Sequence, residues 1–92
     1  MAELVNIGFG NLVNAQKVAA VVNPDAAPIK RLVQSAREGQ LVIDATQGRR
    51  TKSVIVLETG QAVLSAVQPD TIARRFGTKR IAEPETKGEE YE

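Results

Sequence analysis

The chain has 92 residues, with 12 Lys and Arg against 11 Asp and Glu, and it contains no Cys, no His and no Trp. Without His or Cys there is no Ser-His-Asp or Cys-His nucleophile, no thiolate or imidazole zinc site, and no side chain whose ordinary pKa lies near 7. Enzymatic chemistry, a metal and a cofactor are therefore not expected, and with no disulfide framework to oxidise, the expected address is the cytoplasm.

The net charge of +1 is an average over two unlike segments. Residues 83–92 hold five Glu and one Lys with no apolar period, the composition of a solvated tail. The rest of the chain then carries +5. The expected organisation is one domain over 1–81 and a disordered acidic tail over 82–92. The longest apolar runs fall far short of the roughly 20 residues a membrane span needs, so no membrane partner is expected.

In chain order, Glu3–Ile7 reads as a short strand closed by the turn Gly8-Phe9-Gly10-Asn11. Leu12 to Val22 is ambiguous, since Ala15, Gln16, Ala19 and Ala20 favour helix while Val18, Val21 and Val22 favour strand; the Val-rich half is read as strand. Asn23-Pro24-Asp25 then breaks the chain, and Asp25 is placed to cap a helix whose first turn tolerates Pro28. That helix runs to about Glu38. Ile29, Leu32, Val33 and Ala36 share its apolar face, Lys30 and Arg37 share one flank, and Gly39 ends it.

Leu41–Asp44 and Ser53–Glu58 follow as strands separated by the basic turn Ala45–Arg50, a pattern that predicts a β-hairpin with its cations at the tip. Glu58–Gln61 as turn and Ala62–Val67 as strand continue an antiparallel meander. A second helix starts at Pro69, buries Ile72, Ala73 and Phe76, and ends at Gly77 with Arg74 and Arg75 in its last turn. The fold class is thus α+β: a small antiparallel sheet of about four or five strands with two helices.

Gly48-Arg49-Arg50-Thr51-Lys52 is the most informative cluster. Folding a turn does not require three mutually repelling cations, whereas phosphate binding uses each of them, and Arg forks onto phosphate oxygens or guanine edges. The plain alternative is a solvated turn that keeps a sheet edge soluble. Lys17, Lys30, Arg37, Arg74, Arg75, Lys79 and Arg80 are supporting cations, each of which alone is ordinary surface. The Gly8/Gly10 turn lacks the spacing of a dinucleotide fingerprint or P-loop and reads as a tight turn that needs glycine; nucleotide chemistry there ranks last. With only Phe9, Phe76 and Tyr91 as aromatics, stacking platforms for single strands are scarce, so double-stranded DNA is the better target.

Four motifs in fixed order, Asn6–Asn11, Pro24–Arg31, Asp44–Ser53 and Leu64–Pro69, resemble the RemA family of bacterial regulators of extracellular-matrix and biofilm genes over about residues 3–76. The resemblance implies a duplex-DNA-binding transcriptional regulator with a LytTR-like fold, assembling into a homo-oligomeric ring in the nucleoid region of the cytoplasm. It makes Arg49 and Arg50 the principal DNA contacts and matches a basic residue at Lys17 and a proline at Pro28; the cluster adds Lys52 beside Lys17 in support, and Pro28 and the turn glycines Gly8 and Gly10 take structural or oligomer roles. Lys17 stands where the family usually has Arg, which removes a bidentate fork at that position. The competing expectation is a nucleoid-associated or scaffold protein whose basic patch contacts an acidic protein or RNA.

Overall fold

A computed structural model of the chain describes residues 3–76. Its elements run β1 (Leu4–Asn6), β2 (Leu12–Asn14), a 3-10 turn (Ala15–Lys17), β3 (Val18–Val22), α1 (Ala27–Glu38), β4 (Val42–Asp44), β5 (Ser53–Leu57), β6 (Ala62–Ser65) and α2 (Pro69–Arg75). β1 and β2 form an antiparallel hairpin, and the other four strands form one sheet in the order β3-β5-β6-β4. β3 and β5, and β5 and β6, pair antiparallel, but β4 runs parallel to β6.

Successive side chains of a strand point to opposite faces, and both faces of β5 and β6 are covered. On one face Val54, Ala62 and Leu64 meet Ile29, Val33 and Ala36 of α1. On the other, Ile55 and Val63 pack against Val5, Ile7 and Val13 of the hairpin and Ile72 of α2. Burial of an aliphatic side chain of this size contributes about 1.5–3 kcal/mol. Two-sided cover also explains why β5 and β6 read as nearly continuous apolar runs, the pattern of central strands.

The ambiguous stretch resolves into three pieces. β2 ends where Asn14 Oδ1 accepts the Gln16 N–H at 3.0 Å, one 3-10 turn follows, and β3 begins at Val18 with a register irregularity between Val18 and Ala20. α1 occupies the expected span with Pro28 exposed in its first turn. Leu32 lies at the margin of the apolar face, 36% exposed. The helix ends in a Schellman arrangement, Leu41 N–H to Ala36 C=O and Gln40 N–H to Arg37 C=O. The left-handed residue of that motif is Gln40, with φ of 61°, while Gly39 remains at φ of −92°.

Several expectations are corrected. The sheet is mixed, and the described strands number six in two sheets, because β4 adds to the far side of β6 in parallel register. β4 and β5 are consequently not hairpin partners. Asp25 does not cap α1: the cap position falls on Ala26, which makes no side-chain cap, and Asn23 Oδ1 instead takes the Asp25 N–H at 2.8 Å. The last strand stops at Ser65, short of Val67, because the serine hydroxyl accepts the Val67 N–H and so replaces the ladder. The acidic tail and the Gly77 helix end lie outside the described residues. Among those described, no helix is long and apolar enough to cross a membrane.

Candidate nucleic-acid interface

The segment 45–52 leaves β4 on one side of β6 and enters β5 on the other. Its feet are both bonded to β6: Ala45 N–H donates to Leu64 C=O at 2.9 Å, and Lys52 N–H donates to Ser65 C=O at 2.8 Å. The loop is therefore an arch over the C-terminal end of a central strand. A free hairpin tip would be held only by its own two strands.

Inside the arch, Asp44 Oδ1 accepts both the Thr46 hydroxyl at 2.6 Å and the Thr46 N–H at 2.9 Å. These two bonds, and more weakly the Arg37 guanidinium, hold the Asp44 carboxyl below its ordinary value of 3.8. Gln47 and Gly48 then both take left-handed backbone, at φ of 52° and 81°, and Arg49 N–H closes the turn on Thr46 C=O at 3.0 Å. Two left-handed residues in succession reverse the chain tightly. Glycine supplies one of them without strain. The arch thereby brings Arg49, Arg50 and Lys52 out at one end of the sheet.

The Gly8-Phe9 turn of the first hairpin forms the neighbouring wall. Arg49 lies over the Phe9 ring, 5.7 Å from the guanidinium carbon to the centroid, within the range of a cation–π contact. Gly8, Phe9, Ala66 and Val67 line a concavity together with Arg49, Arg50 and Lys52. Gly8 has φ of 111°, and a Cβ there would sit 2.9 Å from a Val67 methyl, so the turn packs against the 66–67 bend only with glycine. Gly10 also has positive φ, with open space around it.

Two buried serines lock these walls. Ser65 Oγ donates to Ile7 C=O at 2.7 Å and accepts the Val67 N–H at 3.0 Å. Ser53 Oγ donates to Val67 C=O. Both are fully buried, which gives the Leu64–Pro69 motif a physical purpose. Ser65→Ala leaves a carbonyl and an N–H unpaired in the interior, an expected loss of about 1–3 kcal/mol. At about 4–8 °C per kcal/mol for a domain of this size, thermal unfolding reads it directly; an unchanged Tm refutes the role.

Lys17 is not part of this cluster. Its carbonyl accepts the Glu58 N–H, which places it beyond the opposite end of β5 from Lys52, roughly 20 Å away along a strand rising about 3.4 Å per residue. It borders instead an open apolar groove lined by Leu12, Ile43, Leu57 and Val63. Arg75 is engaged in the fold, donating to Asn6 C=O at 3.1 Å, and Arg74 reaches Thr71. Lys79 and Arg80 lie outside the described residues.

A family description, "Extracellular matrix regulatory protein A-like", matches residues 4–76. The chain belongs to the RemA-like family. It is 50% identical over 88 residues to a protein of Acetivibrio thermocellus, covering 96% of this chain and 95% of that one. It is 52% identical over 82 residues to one of Synechococcus, covering 89% and 92%, and 54% identical over 77 residues to one of Alkaliphilus metalliredigens, covering 84% and 83%. Each of the three bears the name "Putative regulatory protein". The family match takes in the arch, the Phe9 turn and both buried serines.

Phe9, Ser53 and Ser65 escaped the sequence reading as parts of the site. Phe9 is far from Arg49 in sequence and flanked by glycines, so nothing local pairs it with a cation. The serines fall inside strands whose apolar neighbours dominate the pattern.

Proposed function

We propose that this RemA-like chain is a non-enzymatic regulator that binds duplex DNA as a homo-oligomer, with Arg49 and Arg50 as its principal contacts and Lys52 beside them. The observation behind this reading is the arch: its feet are tied to a central strand, and it sets three cations at one end of the sheet with Arg49 seated on Phe9. A guanidinium already seated, as Arg49 is on Phe9, loses less freedom on meeting a phosphate or a guanine edge. Lys17 lies too far away to share a phosphate with them and is assigned a separate contact.

Assembly into a ring is proposed on the exposed apolar surface. Leu4, Leu12 and Ile43 are 60%, 54% and 47% exposed, and Leu12 and Ile43 line one groove. A second copy would cover what a lone chain leaves wet. The family description, which names extracellular-matrix regulation, supports control of matrix genes, and the resemblance extends the proposal to biofilm genes and to the nucleoid. Fluorescence anisotropy of a labelled duplex, titrated with the full chain at rising salt, tests the reading. Affinity should fall steeply with salt as counterions compete. A salt-independent interaction, or an acidic protein that co-purifies after nuclease treatment while DNA fails to bind, would overturn it.

A further inference from the structure

We infer that the DNA-contacting surface extends beyond the arch along one flank of α1, where Lys30 and Arg37 form a second pair of phosphate contacts. This rests on the duplex-binding reading above.

Three adjoining concavities make one continuous track. The first holds Arg49 on Phe9. It shares Arg50 and Lys52 with a second, bounded by Asn23, Pro24 and Asp25 before α1. That one shares Pro24 and Thr51 with a third, lined by Lys30 and Arg37 over Val33 and Leu64. Five cations thus follow one path from the tip of the first hairpin, across the end of the sheet, and down the helix.

Lys30 and Arg37 stand seven residues apart, two helical turns, which separates them by about 10 Å along α1 at 1.5 Å per residue. Neither is needed to bury the apolar face, which Ile29, Val33 and Ala36 supply. Single cations on a helix are ordinary surface, but these two sit in a concavity that opens onto the arginine loop. A duplex offers a matching partner, because its phosphates run as a continuous line of negative charge, whereas a single small anion would occupy only one of the three concavities.

The acids bordering the track set the balance between its cations. Asp25, which does not cap α1, lines the middle concavity and subtracts from its field. Arg37 also lies within electrostatic reach of the Asp44 carboxylate, whose charged form it favours.

The experiment is the salt dependence of duplex binding by full-length Lys30→Gln/Arg37→Gln, beside Arg31→Gln on the same helix and Arg50→Ala in the arch. Each lost phosphate contact lowers the slope of log K against log salt by about 0.9, so the double variant should lose up to roughly two units per engaged subunit, equally on unrelated sequences. Arg31, which lines none of the three concavities, should leave the slope unchanged, and Asp25→Asn should strengthen binding. A double variant with the unsubstituted slope, alongside a defective Arg50→Ala, overturns the extended track and leaves the arch as the site. Equal loss in Arg31→Gln overturns it too, by showing a bulk charge effect. Failure of the unsubstituted chain to bind any duplex overturns both readings.

Discussion

Arg50→Ala in the full chain should weaken duplex binding by roughly five- to a hundredfold per engaged subunit while leaving the fold intact. The side chain is exposed, so its removal opens no cavity and unpairs no buried group, and Tm should move by little. What is lost is a guanidinium that lines two adjoining concavities. If it reads a guanine edge, the loss is about 1–3 kcal/mol of discrimination; if it meets a phosphate, the salt slope falls by about 0.9. Anisotropy titrations at several salt concentrations on specific and unrelated duplexes separate the two. In an assembly the effect is repeated in every copy, and linked sites magnify it. Undiminished binding would refute the assignment of the arch. Phe9→Ala should act in the same direction but more weakly, since an exposed cation–π contact contributes about 0.5–1 kcal/mol.

Ile43→Asp should reduce the proposed homo-oligomer to single chains. Ile43 lies on β4, an edge strand of the sheet, about half exposed and facing the groove it shares with Leu12. A carboxylate there stays solvated in the single chain, so the monomer keeps its fold, whereas in a buried contact it is an unpaired charge costing several kcal/mol. Light scattering should show the mass fall to about that of one chain. Duplex affinity should drop with it, by a factor on the order of 10²–10⁴ if the copies act through effective concentration. An unchanged mass would remove this groove from the interface, and a reduced mass with unchanged affinity would show that each chain binds DNA alone.

The elements themselves were largely legible in the chain. Pro28 and the Ile29/Val33/Ala36 spacing mark α1, Pro69 and Asp70 mark the start of α2, and the Val-rich runs mark β3, β5 and β6. Local propensity and periodicity act within a few residues, so a single sequence displays them. The arginine loop was legible as well, because three cations in four positions need no tertiary information to stand out.

Strand pairing was legible only in part: β5 and β6 pair antiparallel as the expected meander has them, but the place of β4 was hidden. Strand, turn, strand suggests a hairpin for Leu41–Glu58, yet segment 45–52 is longer than the usual hairpin loop of about 2–5 residues, and β6, which comes later in the chain, lies between its two ends. The three residues of β4, with Ile43 left exposed, suit a sheet edge, whereas the fully covered β6 suits its centre.

The sequence by itself determined that the chain holds no His or Cys, where its helices lie, and which loop concentrates its positive charge. The tertiary structure alone decided that the loop is an arch tied to β6, that Phe9 lies beneath Arg49, that Lys17 is remote from the arginines, and that Lys30 and Arg37 continue their track. The physical reason is the same in each case: these relations join residues distant along the chain, and they arise only when burial of Val63 and Leu64 from both sides places β6 between β4 and β5.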